Sequence, residues 1–348
     1  MIDLGFLDRS LKKYEARVLA CSELKGQASA RRYFRLSLGG KGSRIPSNCI
    51  MVLLGEDPLT SDEKEGAAKG PAELPFSSMQ RFLAKCQLPV PQIYVDEWRR
   101  GYQLMTDLGD LTLKAYLERQ DDGNPIMDKL RRGIDLLLQF QKATWTADKS
   151  EACPAFGKKF DLAMIEWELE HFREWAMDDY FEQSLTEEQA ANYVSGMSRL
   201  AGELDSYPRR LAHRDFQSTN IMVMDGVYYL IDFQDAFMAC EAYDLVAYLR
   251  DSYVVLSREQ HGALLDYYIE QRARFQPVCP DFRRLYALAT IQRKLKDAGR
   301  FVYIDRVRGK PEYLQYIDAT MTYVKEAFEL VDDYSPLADC LPFDCRMP

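Results

Sequence analysis

The chain has 348 residues, 47% hydrophobic and 28% charged, with a net charge of −9. That is enough for a sizeable core and more than one domain, and its acidity excludes a general nucleic-acid binder. No apolar run approaches the ~20 residues of a membrane span, Met1 to Gly5 lacks the regions of a signal peptide, and eight scattered cysteines without a C-x-x-C read as reduced thiols of a cytoplasmic protein.

The first hundred residues are patterned for strands. Cys21 to Leu24, Tyr33 to Leu38 and Cys49 to Leu54 are short apolar or alternating runs, with a glycine-rich turn at 39–43. Glu56 to Pro75 is charged and rich in Gly and Pro, which predicts a loop, followed by a helix at about Phe76 to Cys86. Ile93 to Val95 and Tyr102 to Met105 predict a strand pair across Arg99-Arg100-Gly101. After Asp107 the period changes. Leu130, Ile134, Leu137 and Leu138 share one helical face. Leu162, Ile165, Leu169 and Phe172 mark a second helix, and Tyr193, Met197, Leu200 and Leu204 a third. Leu285, Leu288, Ile291 and Leu295 mark a fourth, and Tyr313 to Leu330 a fifth. The expectation is an α+β, bilobal chain: a β-rich N-lobe over 1–106 and a helical C-lobe over 107–348.

Within the helical part lies His213-Arg214-Asp215-Phe216-Gln217-Ser218-Thr219-Asn220, then Ile231-Asp232-Phe233. This is H-R-D-x-x-x-x-N followed by an aspartate at a strand end, the spacing of a kinase-type phosphotransfer site. Phosphoryl transfer asks a protein for a base, metal ligands and positioning. Asp215 suits the base, and the hard oxygens of Asn220 and Asp232 suit Mg²⁺. Between them, Ile221 to Met224 and Val227 to Ile231 read as strands across an Asp225-Gly226 hairpin turn.

These residues resemble the aminoglycoside phosphotransferase superfamily of kinase-like enzymes, and within it bacterial N-acetylmuramate/N-acetylglucosamine anomeric kinases. The resemblance rests on Ala28 to Arg35, Asp107-Leu108-Gly109, the catalytic loop, Ile231 to Ala236, Tyr243 to Asp251 and Gln292 to Gly299. It implies Asp215 as catalytic base and Asn220 and Asp232 as metal ligands, with ATP and Mg²⁺ as cofactors. It implies a phosphate-covering loop from Gly26 to Arg32, with Ser29, Arg31 and Arg32 at the nucleotide. It implies adenine against the backbone of Met105 to Asp107, and a small-molecule sugar substrate used in cell-wall sugar recycling. Gln217, Asp235, Arg250 and Arg293 are the substrate-contact candidates.

The chain departs from the general kinase pattern in two ways. The strand Cys49 to Leu54 has no Lys to pair the phosphates, and Gly26 is the only glycine of the phosphate loop. Either Arg31 or Arg32 supplies the charge, or the nucleotide site is degenerate. Secondly, Asp232-Phe233 runs almost directly into a helix-like segment at Tyr243, with no A-P-E. That leaves no activation segment, so no protein substrate is expected; acidity and the lack of a long apolar run set aside nucleic-acid and membrane partners. From Ile291 to Lys310 there are seven Lys or Arg and two Asp. Such a stretch suits a neutral or anionic acceptor over a polycation. Arg293 is the residue singled out for substrate, while Arg250 and Asp251 are equally readable as internal ion-pair members.

Overall fold

The computed structural model describes residues 5–24, 31–40, 44–54, 73–119, 123, 125–147 and 153–343. Ser29 and most of the expected loop at 56–75 lie outside the described residues. The chain forms two compact units. The first comprises Met1–Leu111, Asp148–Pro154 and Met222–Gln234, the second Thr112–Ala147, Ala155–Ile221 and Asp235–Pro348.

The first unit begins with a helix, α1 (Leu7–Lys12), which sequence patterning did not announce. Five strands follow: β1 (Arg17–Leu24), β2 (Arg32–Gly39), β3 (Asn48–Leu53), β4 (Ile93–Glu97) and β5 (Tyr102–Thr106). They form one antiparallel sheet in the order β1-β2-β3-β5-β4. Helix α2 (Pro75–Lys85) opens on proline, whose missing N–H is unneeded at a helix start. Gly101, at φ +83°, closes the turn between β4 and β5. Strand alternation gives the sheet two faces. Phe34, Leu36, Cys49, Met51, Val95, Tyr102 and Leu104 bury one against Leu7 and Leu11 of α1. Each such side chain contributes about 1.5–3 kcal/mol on burial. The other face holds Tyr33, Ile50, Val52 and Met105, with Leu74 and Trp98. The first unit also takes in a late hairpin: strands Ile221–Met224 and Val227–Leu230 turn at Asp225 and Gly226, at φ +50° and +75°. Two consecutive positive φ values are what a type I′ turn requires, and Asp-Gly supplies them at little cost.

The second unit is helical: α3 (Leu113–Glu118), α4 (Ile126–Trp145), α5 (Leu162–Phe172), α6 (Glu187–Ser206), α7 (Tyr243–Leu249), α8 (Arg258–Ala273), α9 (Phe282–Arg308), α10 (Ile317–Phe328) and α11 (Ser335–Ala338). The four apolar stripes read from α4, α5, α6 and α9 are buried as expected, Leu162 excepted. Capping boxes start α6 (Thr186 with Gln189) and α8 (Ser257 with Gln260), each satisfying two end amides. All seven residues of α7 are buried, and α9 runs 27 residues through the core.

Two departures matter for the site. The expected helix over Tyr313 to Leu330 is a 3₁₀ stretch at Pro311–Tyr316 followed by α10. The tighter winding brings Tyr313 and Tyr316 to one side, where both meet the Phe301 ring. Secondly, α5 runs on into a π-helix at Arg173–Tyr180, whose Trp175 packs edge-on to Tyr303 of α9, centroids 5.2 Å apart. Gly299 is where α5 and α9 cross. A Cβ there would stand 2.7 Å from Phe172 Cα and 2.9 Å from the His171 carbonyl, so only glycine permits the approach.

Candidate active site

The catalytic loop belongs to the second unit. Strand Arg209–Ala212 pairs with Phe237–Cys240 and delivers the chain to His213. From there two buried carboxylates hold the backbone. The Asp244 carboxylate, in the first turn of α7, accepts from the amides of His213 at 2.7 Å and Arg214 at 3.0 Å. Asp251 accepts from the amides of Ser218 at 2.8 Å and Tyr253 at 2.9 Å. Burial pushes both carboxyls up from the ordinary range, and the donated hydrogen bonds oppose it. Arg214 sits at φ +81°, the left-handed region that disfavours a long side chain. Such a residue persists only where its surroundings over-determine it, and here they do. Arg293, fully buried on α9, donates 2.8 Å to the Arg214 carbonyl and 3.1 Å to Asp215 Oδ1.

Asp215 itself is about one third exposed. Burial of the carboxyl raises its pKa, but Arg293, Lys296 and Arg214 outweigh burial and hold it below the usual carboxylate value. It is therefore ionised throughout the neutral range. Asn220 ends the 3₁₀ turn Ser218–Asn220, and its Nδ2 donates 3.0 Å to the Asp215 carbonyl. That bond orients the amide so that its oxygen, a hard ligand, points elsewhere.

Other second-unit candidates divide by environment. Gln217 lies inside the loop, its amide on the Asp215 carbonyl at 2.8 Å and its own carbonyl taking the Asn220 amide at 2.9 Å. Asp235 stands 3.9 Å from Lys158. Arg250 is buried, pairs with Glu326 at 2.6 Å and stacks 4.9 Å over Tyr323. Arg250 and Asp251 are thus both internal, but with different partners. Arg214 meets Asp244 through its amide, while its guanidinium lies over the Phe237 ring at 5.5 Å.

The first unit carries Asp232 at φ +64°, with Gln234 Nε2 donating 2.7 Å to its Oδ1. Phe233 anchors this turn, buried and stacked on Phe76 at 4.9 Å. Tyr33 of β2 lies within the reach of both Arg31 and Asp232. Burial raises the Tyr33 hydroxyl pKa, Arg31 lowers it through charge and a hydrogen bond, and Asp232 raises it. Arg31 and Asp232 therefore act on one hydroxyl. Arg32 sits one residue on, and its guanidinium makes a two-pronged, exposed pair with Glu23 of β1 at 2.8 and 2.9 Å. Met105 lies mid-strand in β5, paired with Ile50 on one side and Ile93 on the other. The side chain of Asp107 is engaged by Arg35 at 2.7 and 3.0 Å, and the same guanidinium holds Asp110 at 2.8 Å. Sequence reasoning did not assign Asp244 and Asp251 to the loop's amides, nor Arg35 to Asp107. A signal for Asp244 exists: a lone charge inside an otherwise apolar helix is almost never buried unless paired.

Comparison with known proteins identifies the family. A model of the phosphotransferase enzyme family (APH) matches residues 21–288. The chain belongs to that family. Among phosphotransferase relatives, the N-acetylmuramate/N-acetylglucosamine kinase of Pseudomonas putida is 28% identical over 86% of this chain and 80% of its own length. The protein of that name from Pseudomonas aeruginosa is 28% identical over 90% and 85%, and that from Neisseria meningitidis 27% over 76% and 77%. Amicoumacin kinase hAmiN, solved with AMP-PNP and Ca²⁺, superposes with a TM-score of 0.59 at 12% identity, covering 99% of this chain and 96% of the other. Choline kinase LicA from Streptococcus pneumoniae gives 0.54 at 16%, covering 96% and 98%. These likenesses show the α+β, protein-kinase-like fold that the sequence implied. Among the described residues no helix is long and apolar enough to cross a membrane.

Proposed function

We propose that this phosphotransferase transfers the γ-phosphoryl group of ATP to the anomeric hydroxyl of an N-acetylated amino sugar, N-acetylmuramate or N-acetylglucosamine, for nucleotide-sugar synthesis from recovered cell-wall sugars. The observation that carries the reading is the Asp215 carboxylate: kept ionised and aimed by a buried arginine, on a loop held by two buried carboxylates through the amides of His213, Arg214 and Ser218. The relatives named above supply the sugar class. Within the basic stretch 291–310, Arg293, Lys294, Lys296 and Arg306 face carboxylates of the protein itself, and Arg300 is the member that favours a neutral or anionic acceptor over an aminoglycoside.

In this mechanism Asp215 orients the acceptor hydroxyl and takes its proton as the oxygen attacks. An anomeric hydroxyl is more acidic than an ordinary alcohol, so a carboxylate of low pKa is an adequate partner. Asn220 and Asp232 are assigned as ligands of Mg²⁺. Among the described residues no three His, Cys, Asp or Glu side chains form a metal cage of their own. An amide and a carboxylate suit a cation that takes its other ligands from phosphates and water. When bound, Mg²⁺ neutralises charge on the β- and γ-phosphates. Arg31, acting on the same Tyr33 hydroxyl as Asp232, is assigned the phosphate charge that a strand Lys gives other kinases.

The test is ATP consumption against N-acetylmuramate, N-acetylglucosamine, unmodified hexoses and an aminoglycoside, with phosphorus NMR on the product. A sugar 1-phosphate from an N-acetyl sugar is expected. Turnover confined to the aminoglycoside or a plain hexose would overturn the reading.

A further inference from the structure

The basic residues of α9 separate into two kinds once their contacts are known. Arg293 is committed to Arg214 and Asp215. Lys294 is fully buried, 2.6 Å from Asp297 Oδ2 and 3.1 Å from Ser252 Oγ. Lys296 is 15% exposed, stands 3.2 Å from Asp297 Oδ1, and is one of the charges that pull Asp215 down. Arg300 differs from all three. It is half-buried, its guanidinium lies 4.8 Å over the Tyr303 ring, and among the described residues it has no carboxylate partner.

Positions 293, 296, 300 and 303 fall at i, i+3, i+7 and i+10, one face of the helix. That face begins at the Asp215 carboxylate and extends about 15 Å along the axis to Tyr303. Aromatic rings border it on both sides. Tyr303 meets Trp175 at 5.2 Å and His171 at 5.4 Å, and Trp167, 52% exposed, stacks on His171 at 5.6 Å. On the other side Phe301 meets Tyr316 at 5.6 Å, and Tyr316 meets Tyr253 at 5.0 Å. The close crossing at Gly299 holds the first of these walls against α9.

We propose that Arg300, with Lys296 between it and the catalytic base, binds a carboxylate carried by the acceptor sugar. This inference rests on the amino-sugar reading above. An N-acetylmuramate whose anomeric hydroxyl meets Asp215 directs the rest of its ring, and the lactyl acid on it, away from the base. A guanidinium seven residues further along the same helix face is about 10 Å on, with a planar fork that matches a carboxylate. Stacking on Tyr303 holds that fork flat and leaves its edge for the ligand. Lys296 already serves Asp297, so it adds field, while Arg300 makes the contact. The role first given to Arg293 thus passes to a residue one face-length away, because Arg293 is spent inside the loop.

The test uses the whole protein as wild type, Arg300→Gln and Arg300→Lys, with N-acetylmuramate, its methyl ester and N-acetylglucosamine as acceptors. The readout is the ratio of kcat/KM for the acid to that for its ester, with melting temperature as a check on folding. Loss of one charge-assisted contact lowers that ratio about 10- to 100-fold in Arg300→Gln, chiefly through KM for the acid. Arg300→Lys retains most of the ratio. An unchanged ratio in Arg300→Gln, or a wild type blind to the acid, overturns the inference while leaving the amino-sugar reading standing. A wild type that turns over none of the three sugars is a different result: it removes that reading and the inference with it.

Discussion

The catalytic loop of the second unit and the end of β2 in the first unit both carry candidate phosphotransfer residues, and opposite physics holds them. The loop is fixed by buried charge: Asp244 and Asp251 on backbone amides, Arg293 on Arg214 and Asp215. In a medium that solvates poorly, removing one such partner strands another, which makes each contact costly to lose. At the β2 end, Arg32 and Glu23 form their ion pair in water, where such pairs contribute little. The lesson concerns assignment. Arginines that look alike in sequence are sorted by burial into those that shape the protein and those that can meet a ligand. Arg293 and Arg250 are of the first kind, and Arg31 and Arg300 are proposed for the second.

Substitutions can break or sharpen this contrast. The largest effect is expected from Asp215→Asn, which keeps the shape of the loop and removes the base. Turnover should fall about 10³-fold or more, with Mg·ATP affinity by calorimetry within a few-fold. Wild-type turnover would end the base assignment. Next is Arg293→Met, which leaves Asp215 without its main compensating charge. We expect kcat to drop about 10- to 100-fold. The sign of the pH effect is fixed by the shift. Burial raises the Asp215 pKa and Arg293 lowers it, so without Arg293 the acid limb of the kcat profile moves to higher pH. A lower kcat with an unmoved limb would make Arg293 a packing residue only. The smallest effects separate the two neighbours on β2. Arg31→Ala should raise KM for ATP about tenfold, in line with one charge-assisted phosphate contact. Arg32→Ala should change neither KM nor melting temperature measurably. The reverse outcome would exchange their roles.

Much of this was legible in the sequence where the signal is local. The Asp-Gly turn and the four helical stripes, Leu162 excepted, depend on neighbours a few residues apart and appear where expected. What was not legible is set by distant partners. Nothing near Arg250 announces Glu326, 76 residues on, and nothing near Asp215 announces Arg293, 78 residues on. Helix α8 carries a helical stripe at His261, Leu264, Leu265 and Tyr268, blurred only by the polar His261 and the buried Arg272 at its two ends. A basic helix such as α9 reads as one charged run; only the fold reveals which members are inside.

The π-helix at Arg173–Tyr180 has a consequence of its own. Its wide turns give up hydrogen-bond quality relative to an α-helix, and such stretches commonly arise from an inserted residue. Deleting one residue within it would let the backbone wind tighter and would rotate every later position by about 100°. Trp175 and Asp179 would then part from Tyr303 and Arg306, their present neighbours on α9. A single-codon insertion or deletion in this stretch is therefore expected to re-aim one wall beside Arg300.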